Sequence, residues 1–178
     1  PYQPTGYYRH LNFPKRTYQE HRDERQYRRG LYVHWQRQFL HPMLKAFDAP
    51  SREECTAQRT RSNTPVAALT LLNDPTFVEA ARVFAARILT DGGDTTDERL
   101  DFAMRLAVSR RPDDVERKLL TRLLESNFAA YGEQSDSAQQ LNSVGLAARS
   151  KDAEPAQLAA WTAVARAILN LHETISRT

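Results

Sequence analysis

The chain has one cysteine, Cys55, in 178 residues. That excludes an internal disulfide framework and any Cys-x-x-Cys metal or haem signature within it. Long apolar runs are missing too: AALTLL, from Ala67 to Leu72, is among the longest, far short of the roughly 20 residues a bilayer-spanning helix needs. A charged-then-apolar leader is also lacking. The opening Pro1-Tyr2-Gln3-Pro4 is what a piece cut from a longer protein is expected to show. No internal repeat of fixed period appears. What remains is ordinary for a soluble globular chain, 40% hydrophobic and 26% charged, long enough for one domain with a core plus an ordered arm.

The net charge of +3 conceals an asymmetry. Residues 1–62 carry twelve Lys and Arg against six Asp and Glu, so the remainder is negative by three. Ten of the sixteen aromatic residues lie between Tyr2 and Phe47. The two parts are therefore built differently, a basic aromatic arm over 1–62 packing on a second part over 63–178.

The second part reads as helix after helix. Asn63-Thr64-Pro65 is a polar cap followed by proline at the first helical position. Asn73-Asp74-Pro75 is a second start, with Phe77, Ala81, Phe84 and Ile88 on one face. Asp91-Gly92-Gly93-Asp94 stops that helix. Thr95 and Glu98 have capping-box spacing ahead of Leu100, Ala103, Met104 and Ala107. Arg111-Pro112-Asp113-Asp114 places acidic residues where the helix dipole favours them, and Val115, Leu119, Leu123 and Leu124 are the expected stripe. A loop or weak helix start is expected over 133–140 and a short helix over 141–148. Glu154-Pro155 opens the last helix, with Leu158, Trp161, Ala165, Ile168, His172 and Ile175 along one side. The fold class expected is mainly α, a bundle of about five helices with an irregular or short-stranded arm. In the arm, partial alternation at 7–13 and 31–39 allows strands, and the charged run 18–29 allows a short solvated helix.

Candidate chemistry is set against plainer structural roles. Cys55 lies between Arg52 and Arg59, cations that favour the thiolate, and a nucleophile there would need His34 or His41 as base. The plainer role is a small buried hydrophobe. The five histidines His10, His21, His34, His41 and His172 show no His-x-x-x-His spacing. His172, one turn past Ile168, reads as an edge-of-core residue rather than a haem ligand. YRRGLYVHWQR interleaves arginine with rings, as single-strand nucleic-acid binders do, but Glu20, Asp23 and Glu24 interrupt the basic track, so nucleic acid is not favoured. Asp48, Glu53 and Glu54 have glycosidase residue types. Asp48-Ala49-Pro50-Ser51 reads instead as a turn or cap, with Ser51 and Glu54 as a capping box.

Asp48, Arg59, Arg61, Asn63, Thr64, Asn73 and Asp74 then form the candidate site. Arginine forks suit carboxylates and helix-end carbonyls, so Arg59 and Arg61 are expected buried, pairing with Asp48, Asp74 or such carbonyls and locking arm to bundle. A bound anion at the helix starts is the sharper alternative.

Tyr27 to Tyr32, Phe47-Asp48-Ala49-Pro50, Arg61 to Pro65, Leu71 to Phe77, Leu106 to Pro112 and Trp161 to Glu173 occur in that order. The series, from Tyr27 to the end, resembles the C-terminal domain of large planctomycete proteins that join a cytochrome c domain to domains of unknown function, the planctomycete-specific PSD1 type. Ala67 stands where that pattern carries glutamine, and His172 where it carries an acidic or amide residue. The resemblance implies a fragment of a multidomain, exported protein in the periplasm or cell envelope. It places haem c in a separate domain, with no cofactor or metal in this chain and neighbouring domains as partners. The function expected is therefore a non-catalytic structural or interaction domain. The alternative is an enzyme or carbohydrate-binding module with a polar cleft between arm and bundle, lined by Asp48, Arg59, Arg61 and His34.

Overall fold

In a computed structural model the described residues are 2–10, 17–35, 39–51, 53–58, 64–150 and 153–175. The protein is mainly helical and divides into two compact units, Pro1–Thr70 and Leu71–Thr178.

Within the first unit, the expected strands are not found among the described residues. The irregular form of the arm is found instead: Tyr7–His10 and Gly30–Tyr32 are single 3-10 turns, and Glu24–Tyr27, within the charged run expected to form a short solvated helix, is a third. Packing rather than alternation organises the aromatics. Tyr8 meets Tyr7, Tyr18 and Phe39 at ring-centroid distances of 5.7, 6.0 and 6.2 Å, tilted or edge-on as ring quadrupoles prefer. Among the described residues the unit's buried members are Tyr8, Val33, Leu44 and His41, with Gln3 and, on its last helix, Ala67. One short helix, α1 (Pro42–Ala46), has His41 at its start.

α1 ends in a Schellman motif. Asp48 is left-handed at φ 55°, the Asp48 N–H donates to the Lys45 carbonyl at 3.3 Å, and the Ala49 N–H donates to Leu44 at 2.9 Å. Phe47-Asp48-Ala49-Pro50 is thus a helix stop, and Pro50 prevents continuation. No helix starts at Ser51 among the described residues. Its Oγ accepts from the Glu53 N–H at 3.4 Å, so the expected capping box is a local turn. Cys55 is exposed, not the buried hydrophobe expected.

α2 (Pro65–Asn73) begins where Thr64 Oγ1 accepts from the Ala67 N–H at 3.2 Å. The second unit follows with α3 (Pro75–Asp91), α4 (Thr96–Val108), α5 (Asp114–Glu133), α6 (Ser135–Asn142), α7 (Pro155–Leu169) and α8 (His172–Ile175). Caps set the starts: Asp74 on α3, Thr95 with Glu98 on α4, Asp113 with Glu116 on α5 and Glu154 on α7. α7 is the central element, apolar nearly all round, and packs against α3, α5 and α6. Ala159, Ala160 and Ala165 keep its surface low, so neighbours approach closely, while Trp161, Val164 and Ile168 fill the core with Ala85 and Ile88 of α3 and Leu100 and Met104 of α4. Burying each larger side chain contributes about 1.5–3 kcal/mol.

Three expectations for this unit are corrected. The α5 stripe is Leu120, Leu123 and Leu124, while Val115 and Leu119 are 66% and 62% exposed. The short helix lies at 135–142, and 143–150 is non-helical because Gly145, at φ 91°, turns the chain there. The last helix stops at Leu169. Its continuation is the separate turn α8, so His172 is exposed rather than on the core edge.

Candidate functional site

The candidate residues that are described each sit at a helix end. Asp48 stops α1, Thr64 caps α2, exposed Asn73 closes α2, and Asp74 caps α3 by accepting the Thr76 N–H at 2.9 Å. Arg59, Arg61 and Asn63 lie outside the described residues, as does Arg52. At two other helix starts the first N–H groups are taken by the chain's own caps. Asp113 Oδ1 accepts from Val115 and Glu116 at 2.8 Å each, and Glu154 accepts from Ala156 and Gln157 at 3.0 and 2.7 Å.

Arginine-to-carbonyl chemistry occurs at a position that sequence reasoning passed over. Arg82 of α3 is 1% exposed and Glu79, one turn earlier, 2% exposed. Arg82 donates to the carbonyls of Val144, Ala147 and Ala148 at 3.3, 2.7 and 3.2 Å. Glu79 Oε1 accepts from the Leu146 N–H at 2.7 Å and from the Ala147 N–H. Together the two side chains hold the non-helical connection between α6 and α7 to α3, satisfying backbone groups that no helix ladder reaches. A Cβ on Gly145 would overlap the Glu79 carboxyl group, so the connection passes over Glu79 only with glycine there. Spacing at i, i+3 on the α3 face was the available signal, obscured because buried charged residues are uncommon. Arg166 of α7 similarly donates to the Leu72 carbonyl.

Other charged residues form surface links within the second unit. Arg110 grips Glu116 with both Nη atoms at 2.7 Å and reaches Glu173 at 2.9 Å, tying α8 to the α4–α5 turn. That fork holds the Glu116 carboxyl well below the usual range, at about 2. Arg117 bridges Asp97 and Asp101 at 3.1 and 2.6 Å.

The first unit contains a half-open cavity of about 700 Å³, within the size of small-molecule sites. Its lining includes Tyr2, Gln3, Tyr8, Arg9, Tyr18 and Glu20. Burial, with Tyr8 and Glu20 adding, pushes the Tyr18 phenol up to about 12, so it stays protonated. His41, in ring contact with Tyr18 at 5.9 Å, accepts the Met43 N–H at Nδ1 (3.3 Å). Burial lowers it to about 4, against a smaller upward effect of the Tyr2 backbone. His34 is exposed and His41 buried, and neither is placed as a base for the exposed Cys55 by any contact described.

Among the described residues, no group of three or more His, Cys, Asp or Glu is placed to hold a metal ion, and no helix is long and apolar enough to cross a membrane. The family model PSD1, described as a protein of unknown function (DUF1553), matches residues 1–124. That match takes in the first unit and the second as far as the middle of α5. No curated protein and no solved structure matches the chain.

Proposed function

The chain belongs to the PSD1 family of proteins of unknown function, and from that premise we propose that it is a non-catalytic structural and interaction domain of a larger exported protein. Its partners are neighbouring domains of that protein, a c-type haem domain among them, and its place is the periplasm or cell envelope. No metal or cofactor belongs to this chain in that reading. One observation carries it. Val115 and Leu119, one turn apart on α5, stand 66% and 62% exposed while Leu120, Leu123 and Leu124 supply the core. Large apolar side chains beside charged neighbours mark a docking face, and covering each contributes up to about 1.5–3 kcal/mol.

The test is calorimetric titration of the chain against the rest of the parent protein, expressed separately. Val115→Glu with Leu119→Glu should weaken binding at least roughly tenfold while leaving the circular dichroism unchanged. Unchanged affinity, or no binding by the parent sequence, refutes the reading. A second reading, carbohydrate binding or related enzymatic chemistry, is favoured by the tyrosine-lined cavity of the first unit. Saturable binding of a neutral oligosaccharide, lost in Tyr18→Ala, distinguishes it.

A further inference from the structure

Arg28 and Arg29 join two 3-10 turns, Glu24–Tyr27 and Gly30–Tyr32. Both are exposed, and among the described residues neither meets a carboxylate. Their neighbours in sequence do: Arg22 pairs with Glu20 at 3.1 Å and Arg25 with Asp23 at 2.6 Å. Around the two exposed guanidiniums, Tyr27 is 54%, Leu31 71% and Tyr32 64% exposed.

The backbone beneath these side chains is held down. Trp35 Nε1–H donates to the Gly30 carbonyl at 3.1 Å, and the Tyr32 and Val33 N–H groups donate to Arg29 and Gly30 at 2.9 and 3.2 Å. Val33 and Leu44 are buried below, and a Cβ on Gly30 would stand 3.0 Å from Leu44 Cδ2. A loop fixed this way presents its outward side chains without a further backbone-ordering cost on binding.

We propose that Tyr27–Tyr32 is a docking surface for an acidic protein segment, one carrying carboxylates beside apolar side chains. Tyrosine and arginine dominate interface hot spots because rings bury area at low entropy cost and guanidiniums grip carboxylates with paired hydrogen bonds. Arg28 and Arg29 have extended backbones, φ −69°, ψ 146° and φ −60°, ψ 152°. Successive side chains on such a backbone diverge, so the pair reaches two separate carboxylates rather than sharing one. Leu31, the most exposed of the set, gives an apolar contact that a peptide side chain fills and a nucleobase, which prefers a ring to stack on, does not. The proposal rests on the interaction-domain reading and adds the partner chemistry of a second face, on the other unit from α5.

The test is fluorescence anisotropy of the whole chain with a labelled glutamate–tyrosine copolymer, and separately with oligothymidine of similar charge. The copolymer should bind, weaken with added salt, and lose roughly tenfold or more with Arg28→Glu/Arg29→Glu and with Tyr32→Ala. Lys118→Glu/Arg122→Glu, an equal charge change on α5, should leave that affinity within about twofold. An equal loss from that control, or absence of copolymer binding, overturns the proposal. Tighter binding of oligothymidine assigns the surface to nucleic acid and overturns it as well. So does a concentration-dependent dimer in light scattering that Leu31→Asp abolishes. Failure here with the α5 titration intact leaves the interaction-domain reading standing. Failure of the α5 titration alone removes the parent-domain partners of that reading, and copolymer binding then remains as the separate support for an interaction role.

Discussion

Replacing Arg82 by methionine tests whether the polar clamp on the α6–α7 connection stabilises the second unit. Methionine keeps the unbranched stem and much of the volume, so the cavity contribution is small. What disappears is a buried guanidinium with acceptors at Val144, Ala147 and Ala148. Bonds from a charged donor contribute about 1.5–3 kcal/mol each. Ala148 is exposed, so water replaces part of its loss. The carbonyls stay in place, so removing the donor orphans them, unlike a replacement in which both partners become apolar. Counting Val144 and Ala147 at the low end of that range, the net cost is about 3 kcal/mol, a large share of the roughly 5–15 kcal/mol that stabilises a domain. Urea unfolding, followed by fluorescence of the buried Trp161 in a Trp35→Phe background, isolates this unit. With a slope of about 1–3 kcal/mol per molar, the midpoint should fall by roughly 1–3 M. Amide exchange at Leu146 and Ala147 should accelerate. A loss below about 0.5 kcal/mol would mean that solvent serves these carbonyls as well as Arg82 does, and the clamp reasoning fails.

Two other outcomes follow from the same geometry. Gly145→Ala combines a left-handed φ of 91° with overlap of its Cβ on the Glu79 carboxyl; it should cost about 3 kcal/mol, and an unchanged thermal midpoint refutes the close passage over Glu79. In the first unit His41 is held at about 4, below its ordinary 6.5, so the unfolded chain binds the extra proton first. Stability is full above about pH 6.5 and falls as pH drops towards 4, where protonation also removes the Nδ1 acceptor of the Met43 N–H. Trp35 fluorescence should report that loss, and its persistence in His41→Gln would refute the assignment.

Helix starts were the most legible feature. Thr64-Pro65, Asp74-Pro75, Thr95 with Glu98, and Glu154-Pro155 act through groups two or three residues away, so their effect is written locally. Which face of α5 is buried was not local: Leu119 and Leu120 fit a helical stripe equally, and only the position of α7 puts Leu120 inwards. In the arm, likewise, sequence left the irregular and the short-stranded form open. Its rings partly alternate, yet the side chains gather around Tyr8 through 3-10 turns, because contacts between distant rings override a weak strand preference. Within the candidate site, the helix-end roles of Thr64 and Asp74 were readable, while Asp48 ends a helix that its sequence announces only through Pro50.

From the sequence alone came the mainly helical class, the family, the caps and the contrast between a basic aromatic part and a helical part, since each rests on composition or on residues near in the chain. Tertiary structure alone decided the pairing of Glu79 and Arg82 with a connection more than sixty residues away. It also decided which leucines leave the core and how Gly30 and Trp35 hold out an exposed Arg28-Arg29. Those outcomes depend on which distant backbone groups lack partners and which faces lack neighbours, and only the closed chain sets both.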